Sequence, residues 1–288
     1  AGLLYGKGSH LSDAEYWRWW VVHLWVEGFF EVFATVVMAF VLTRIGAVSV
    51  RFANTSVFMI IFLYLGSGVI GTFHHLYWSG TTMPIMVLGG VFSALEVVPL
   101  SLLGLEAAMN MKTVSDAGPS YEYRWPLYFF VAVAFWNLVG AGVFGFLINP
   151  PIILYYIQGI NTTPIHAHAA LFGVYGFLAI ALMLFSVRHI FRKDAWSDGL
   201  LKWSFWGLNI GLLLMVAVSL VPSGFYQFYH AVQKGMWYAR SPEIATSEFI
   251  KTTVWIRFVP DIIFVLGALL LLIFVARGIW MSFLKKRT

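Results

Sequence analysis

The chain has 288 residues, of which 60% are hydrophobic, 18% aromatic and only 11% charged, where a soluble domain carries about a quarter charged residues. That composition excludes a soluble secreted domain and, despite the net charge of +5, a nucleic-acid module. With no cysteine there is no disulfide framework, iron–sulfur cluster, Cys-ligated zinc or thiol nucleophile, so metal chemistry must use His, Asp and Glu.

Seven stretches are long and apolar enough to cross a bilayer, which takes about 20 residues in a helix. They are 17–45, 53–78, 83–111, 126–148, 164–188, 200–222 and 251–281. Period-two alternation is absent, which predicts helices and not barrel strands, all in one transmembrane domain over 1–288. The connections are short, the longest being 223–250. Twelve of the 18 Lys and Arg follow the odd-numbered helices, among them Arg51, Lys112, Arg192, Lys285, Lys286 and Arg287. The positive-inside rule then puts the C-terminus in the cytoplasm, and the basic balance needs no anionic ligand. Because the chain starts at Ala1 with no short signal-type segment, it is expected to be part of a longer polypeptide, or a processed one.

Inside these spans sit His23, Glu27, Glu31, His74, His75, Glu96, His166, His168 and Asp261. A central charge costs about 2.5–3.5 kcal/mol even on the lenient insertion scale, so such groups need partners. In the first span, HLWVEGFFE puts His23 and Glu27 four residues apart, on one helix face and within reach of one ion, and Glu31 extends the stripe. A buried His–Glu hydrogen bond is the plainer alternative. The zinc protease pattern HExxH does not occur. In the second span His74 and His75 are adjacent, about 100° apart on an α-helix, and two such imidazoles can converge on an ion lying between them. Three imidazoles with one carboxylate suit non-haem iron better than copper.

In the fifth span, TPIHAHAALFG sets His166 and His168 two residues apart, about 200° around the helix. They cannot share an ion, but each can ligate a different cofactor, and two haem irons meet that demand. Ala167, Ala169 and Ala170 leave room for flat macrocycles. Glu96, just before Pro99, is a candidate proton carrier or outer partner of the metal site. Arg257 and Asp261 read first as an i, i+4 ion pair around Pro260. Thr162 or Thr163 is expected to cap the helix that Pro164 opens, a plainer use of Asn161-Thr162-Thr163 than glycosylation. His10, His189 and His230 carry no assigned role.

HxxxE, then HH, then HxH on successive long helices resembles the catalytic subunit of the haem–copper oxidase superfamily. Oxygen reductases of the common type carry a Tyr four residues after the first metal-ligand His. Glu27 stands there instead, as in bacterial nitric oxide reductases. FHHLYWSG, FSALEVVPL, INPP followed by NTTPIHAHAALFGVYG, and WYARS resemble their single-chain, quinol-dependent branch. The resemblance implies part of a twelve-helix all-α membrane core in the bacterial inner membrane. It makes His23, Glu27, His74 and His75 the ligands of a non-haem iron, His166 the ligand of high-spin haem b3 and His168 that of low-spin haem b. Glu31 and Glu96 match acids near the binuclear site, with Glu27, Glu31 and Glu96 the catalytic carboxylates, and Asp261 matches an acid associated with quinol.

By the same resemblance the substrate is NO and the electron donor quinol, with a calcium ion between the haem propionates and a homodimer as further family features. No intramembrane His is left over to serve as the second axial ligand of the low-spin haem, and the family's first helices have no counterpart. The resemblance therefore covers a carboxy-terminal half, whose partner is the missing amino-terminal half of the same protein. Rival readings are an oxygen-reducing relative, an intramembrane metal transporter and a haem-anchoring protein without non-haem iron.

Overall fold

A computed structural model describes residues 4–110 and 121–284, with backbone alone at 26, 27, 66–68 and 141. Lys112, Lys285, Lys286 and Arg287 of the charge count, and the side chain of Glu27, lie outside the described residues. Every regular element described is helical. The long columns are α1 (11–44), α2 (Val50–Ile70, tightened to a 3-10 turn over Gly71–His75), α3 (Met83–Met109), α4 (Arg124–Ile148), α5 (Thr162–Ile190), α6 (Asp198–Lys234) and α7 (Glu248–Leu284). Five of them, α3 to α7, are long and apolar enough to cross a membrane. Of the first two predicted spans, α1 is an unbroken run of three helical segments, and α2 has its apolar stretch at Val50–Leu65.

The interior is filled where helices face each other. Phe129, Phe130 and Trp136 of α4, Phe177 and Leu184 of α5, Met38 and Leu42 of α1, and Leu100 and Leu103 of α3 are almost wholly buried in one cluster. The outward faces stay apolar, as with Phe58, Phe62, Trp255 and Leu272. Lipid, unlike water, sets no penalty on such a surface.

Two sequence expectations are corrected. The supposed connection 223–250 is mostly helix: α6 runs on to Lys234, and Met236–Ala239 and Pro242–Ala245 form short turns. The segment Val221–Lys234 is one-sided, and its buried Gln227 accepts from Asn161 N at 2.8 Å and donates to Ala239 O at 3.1 Å. A hydropathy scan loses such a helix because half its surface is polar. The capping expected of Thr162 or Thr163 is not made either. Asn161 is the cap residue, without a side-chain bond, and Thr162 Oγ1 donates to Ile157 O at 3.1 Å.

Several columns depart from regular α-helix near the ionisable residues. Pro99 has no N–H for the carbonyl of Leu95, and α3 is broken at Glu96 between Met83–Leu95 and Val97–Met109. Wide π-turns occupy Leu24–Phe29 in α1, Asn137–Phe144 in α4 and Ala169–Gly176 in α5, a feature frequent at functional sites. Pro260 acts similarly in α7, where regular helix pauses at Arg257.

Candidate metal centre

His23 ends the first α-segment of α1, immediately before its π-turn, and is fully buried. His74 and His75 arrive from the 3-10 turn that closes α2. Three residues per turn there set adjacent side chains about 120° apart, and their rings meet at 3.9 Å and 44°. The His23 ring lies 5.5 Å from each of the other two. One ring nitrogen from each of the three lies within 4.8 Å of the others. Nitrogens held at about 2.1 Å from a single ion can be at most about 4.2 Å apart, so the triad is within a small side-chain rotation of a closed site. The residues present therefore fit a first-row transition metal.

Glu96 stands at the α3 break with its Oε1 3.9 Å from His23 Nε2. Its side chain and that of Glu31, both buried, line a cavity of about 530 Å³ together with His74, His75 and His166. Sequence reasoning missed Trp19, one helical turn before His23, whose ring stacks on His75 at 4.5 Å and 4°. Its indole N–H donates to Glu15 at 3.2 Å. Arg240 also lines the cavity, and burial holds its guanidinium below the ordinary arginine value. Tyr175, from the π-turn of α5, completes that wall. Only the spacing of Trp19, four residues before a ligand candidate, offered any signal in the sequence.

His166 and His168 leave α5 in different directions. His166 lines the cavity and its Nδ1 donates to Gly140 O at 2.8 Å. A carbonyl can only accept, so Nδ1 carries the proton and Nε2 keeps its lone pair, the arrangement in which imidazoles ligate metals. Gly140 O also receives the N–H of Gly145, five residues on, through the π-turn. The close approach depends on Gly140 being bare, because an added Cβ would lie 2.6 Å from Ala169 Cβ. Gly140→Val is accordingly expected to push α4 from α5, at an overpacking cost of about 1–3 kcal/mol. Thermal unfolding in detergent, read by near-ultraviolet dichroism, checks this.

His168 turns to α7. Its Nδ1 donates to Pro164 O at 2.9 Å, and its Nε2 lies 3.0 Å from Arg257 Nη2. Arg257 Nε in turn donates to Asp261 Oδ1 at 3.1 Å. The structure thus brings together His23, His74, His75 and Glu96, adds Glu31 and His166 around one cavity, and sets His168 and Asp261 apart from them. Of the remaining histidines, His10 caps α1 and His189 bonds Tyr123 at 3.2 Å.

Comparison with known proteins agrees with this geometry. The family model for cytochrome c and quinol oxidase polypeptide I matches residues 5–280. A nitric oxide reductase subunit from Stutzerimonas stutzeri is 28% identical over 270 residues, covering 90% of this chain and 54% of that protein. The chain therefore spans about half the length of this curated relative.

Proposed function

The chain belongs to the cytochrome c and quinol oxidase polypeptide I family, and from that premise we propose that it is the carboxy-terminal part of a quinol-dependent nitric oxide reductase. The family consists of membrane-integral oxidoreductases that bind haems and a further metal. The reading adds NO as substrate, with two NO, two electrons and two protons giving nitrous oxide and water. The observation that carries it is a cavity whose wall includes His166 on one element and the His74–His75 pair on another, with His23 buried beside the pair.

In this reading His23, His74 and His75, with Glu27, would hold a non-haem iron, His166 the high-spin haem b3 and His168 the low-spin haem b. When bound, these irons supply the one-electron change that a zinc site could not. The chain's own contribution is confinement and proton supply. Val97, Ile148 and Leu154 line the cavity, keep it apolar and hold small neutral molecules side by side, which turns an encounter into a proximity-assisted step. Glu31 and Glu96 are the carboxyls in that wall, so each can hold a proton and hand it inward. Trp19 fixes the plane of the His75 ring. Electrons would come from quinol, in a bacterial inner membrane with the C-terminus in the cytoplasm.

The full-length protein, purified, tests this by its reduced-minus-oxidised spectrum, its iron and copper content, and NO consumption with a quinol. Three imidazoles alone also suit copper. Stoichiometric copper with oxygen consumption would therefore identify an oxygen-reducing relative, and absence of a Soret band with metal flux in liposomes would identify a transporter. Separate expectations attach to the two histidines of α5. His166→Ala loses the high-spin signal and His168→Ala the low-spin one, both read in the visible spectrum, and the reverse pattern exchanges their assignments.

A further inference from the structure

Glu15, Trp19 and His23 stand at four-residue steps along one face of α1. The stripe serves the triad twice. Its inner end is His23 itself, and its middle residue lays an indole flat on His75, which comes from another element, at 4.5 Å and 4°. His75 is the least buried of the three imidazoles, so packing leaves its ring plane the most freedom. A ring laid on it fixes that plane only if it is itself fixed. Glu15 does this: its Oε2 accepts the indole N–H at 3.2 Å, and the same oxygen is held by Arg18. The Arg18 guanidinium also lies 5.0 Å from the centre of the indole, so carboxylate, guanidinium and indole hold one another. Tyr16 packs on Phe73 at 5.5 Å. That contact anchors the 3-10 turn to α1 but leaves open which way the His75 ring faces.

We infer that Glu15 is a positioning residue of the metal centre: through the Trp19 indole it sets the plane of the His75 imidazole, and so the affinity of the triad for a first-row ion. The inference rests on the triad being a metal centre, and it needs neither haem nor a particular substrate. An imidazole lone pair lies in the plane of its ring. A plane free to turn therefore carries its lone pair off the point on which three nitrogens must converge. Partners outside the ligand set act by orienting the ligands in this way. Here the orienting group is a ring face, and the carboxylate is its support. The role is geometric, so what matters at position 15 is an oxygen that accepts the indole N–H, not its charge.

The test uses the full-length protein, treated with a chelator, as wild type, Glu15→Ala, Glu15→Gln, Trp19→Phe and the double variant Glu15→Ala with Trp19→Phe. Each is dialysed to equilibrium against graded cobalt. Bound cobalt is counted by elemental analysis, less what His23→Ala binds. Glu15→Ala is expected to weaken binding about tenfold, the lower end for loss of an outer partner. Glu15→Gln keeps an oxygen acceptor and should recover most of that. In the Trp19→Phe background there is no N–H to hold, so Glu15→Ala should change the affinity little, and that coupling marks a role exerted through the indole. Unchanged affinity in Glu15→Ala, no recovery in Glu15→Gln, or an equal loss in both backgrounds overturns the inference and leaves the metal centre standing. A second readout needs no metal: the nitrogen-15 resonance of Trp19 Nε1, assigned by its loss in Trp19→Phe. It should move in Glu15→Ala and stay near its wild-type position in Glu15→Gln, and an unmoved resonance in Glu15→Ala overturns the inference. If it moves while wild type binds no more cobalt than His23→Ala, the contact stands, but the metal-centre reading falls and the role of Glu15 with it.

Discussion

If the chain works as proposed above, His23→Ala is expected to strip the metal from the triad and abolish NO consumption while leaving the haem spectrum nearly intact. His23 is the one donor that α1 contributes among the described side chains, and it is completely buried. His74 and His75 share one short turn, so without His23 only two nitrogens from a single element remain. Two imidazoles hold a first-row ion far less tightly than three, and loss of an outer partner alone already costs about 10–100-fold in affinity. The loss here should exceed that, to iron below one-tenth occupancy at micromolar supply. Elemental analysis beside haem quantitation measures it, and the haem signal reports that the helices still assemble. His10→Ala is the control, since His10 caps the exposed start of α1. Normal iron content in His23→Ala would remove the triad from the account.

The membrane helices were legible because apolar length is a property of composition alone, and the five columns apolar enough to span, α3 to α7, begin and end within a few residues of the expected positions, α6 excepted. The opposite headings of His166 and His168 were legible too, because a two-residue step on any helix turns the second side chain away from the first. What could not be read is where helices depart from regular winding. Asn137–Phe144 contains three possible Gly or Ala positions and no proline, so nothing marks it as a π-turn. Its consequence, a carbonyl at Gly140 that serves both Gly145 and His166, exists only once α4 and α5 have docked. Asp261 illustrates the same gap. Spacing suggested its pairing with Arg257, but the third member, His168, lies 89 residues away in sequence. Trp19 is the clearest case, since one Trp among 13 reads as interface belt until its ring is found flat against His75.

Gly71→Ala is expected to weaken metal binding by at least about tenfold, on the scale of lost outer-shell support, without touching a single ligand. The position is helical, the first residue of the 3-10 turn, so alanine is in itself the better residue there, by up to about 1 kcal/mol. Space decides against it. The new Cβ would lie 2.6 Å from His23 Nε2 and 2.9 Å from its Cε1, closer than carbon atoms tolerate, so something must shift. The His23 ring has no solvent to retreat into, being fully buried with the rings of His74 and His75 at 5.5 Å and Glu96 Oε1 at 3.9 Å from its Nε2. Either Nε2 turns away or the turn bearing the other two imidazoles moves back, and both widen a set of nitrogens already at the outer limit for one ion. The apo protein should therefore melt only modestly below wild type, the overpacking cost of about 1–3 kcal/mol being partly offset by alanine's helical preference, while its iron or cobalt titration moves to higher concentration. Gly46→Ala, at a left-handed turn where an added Cβ meets nothing, should show the converse, a loss of stability with unchanged metal affinity. Wild-type affinity in Gly71→Ala would mean that the contact between this turn and His23 is looser than the structure has it, and the triad less rigid than its function requires.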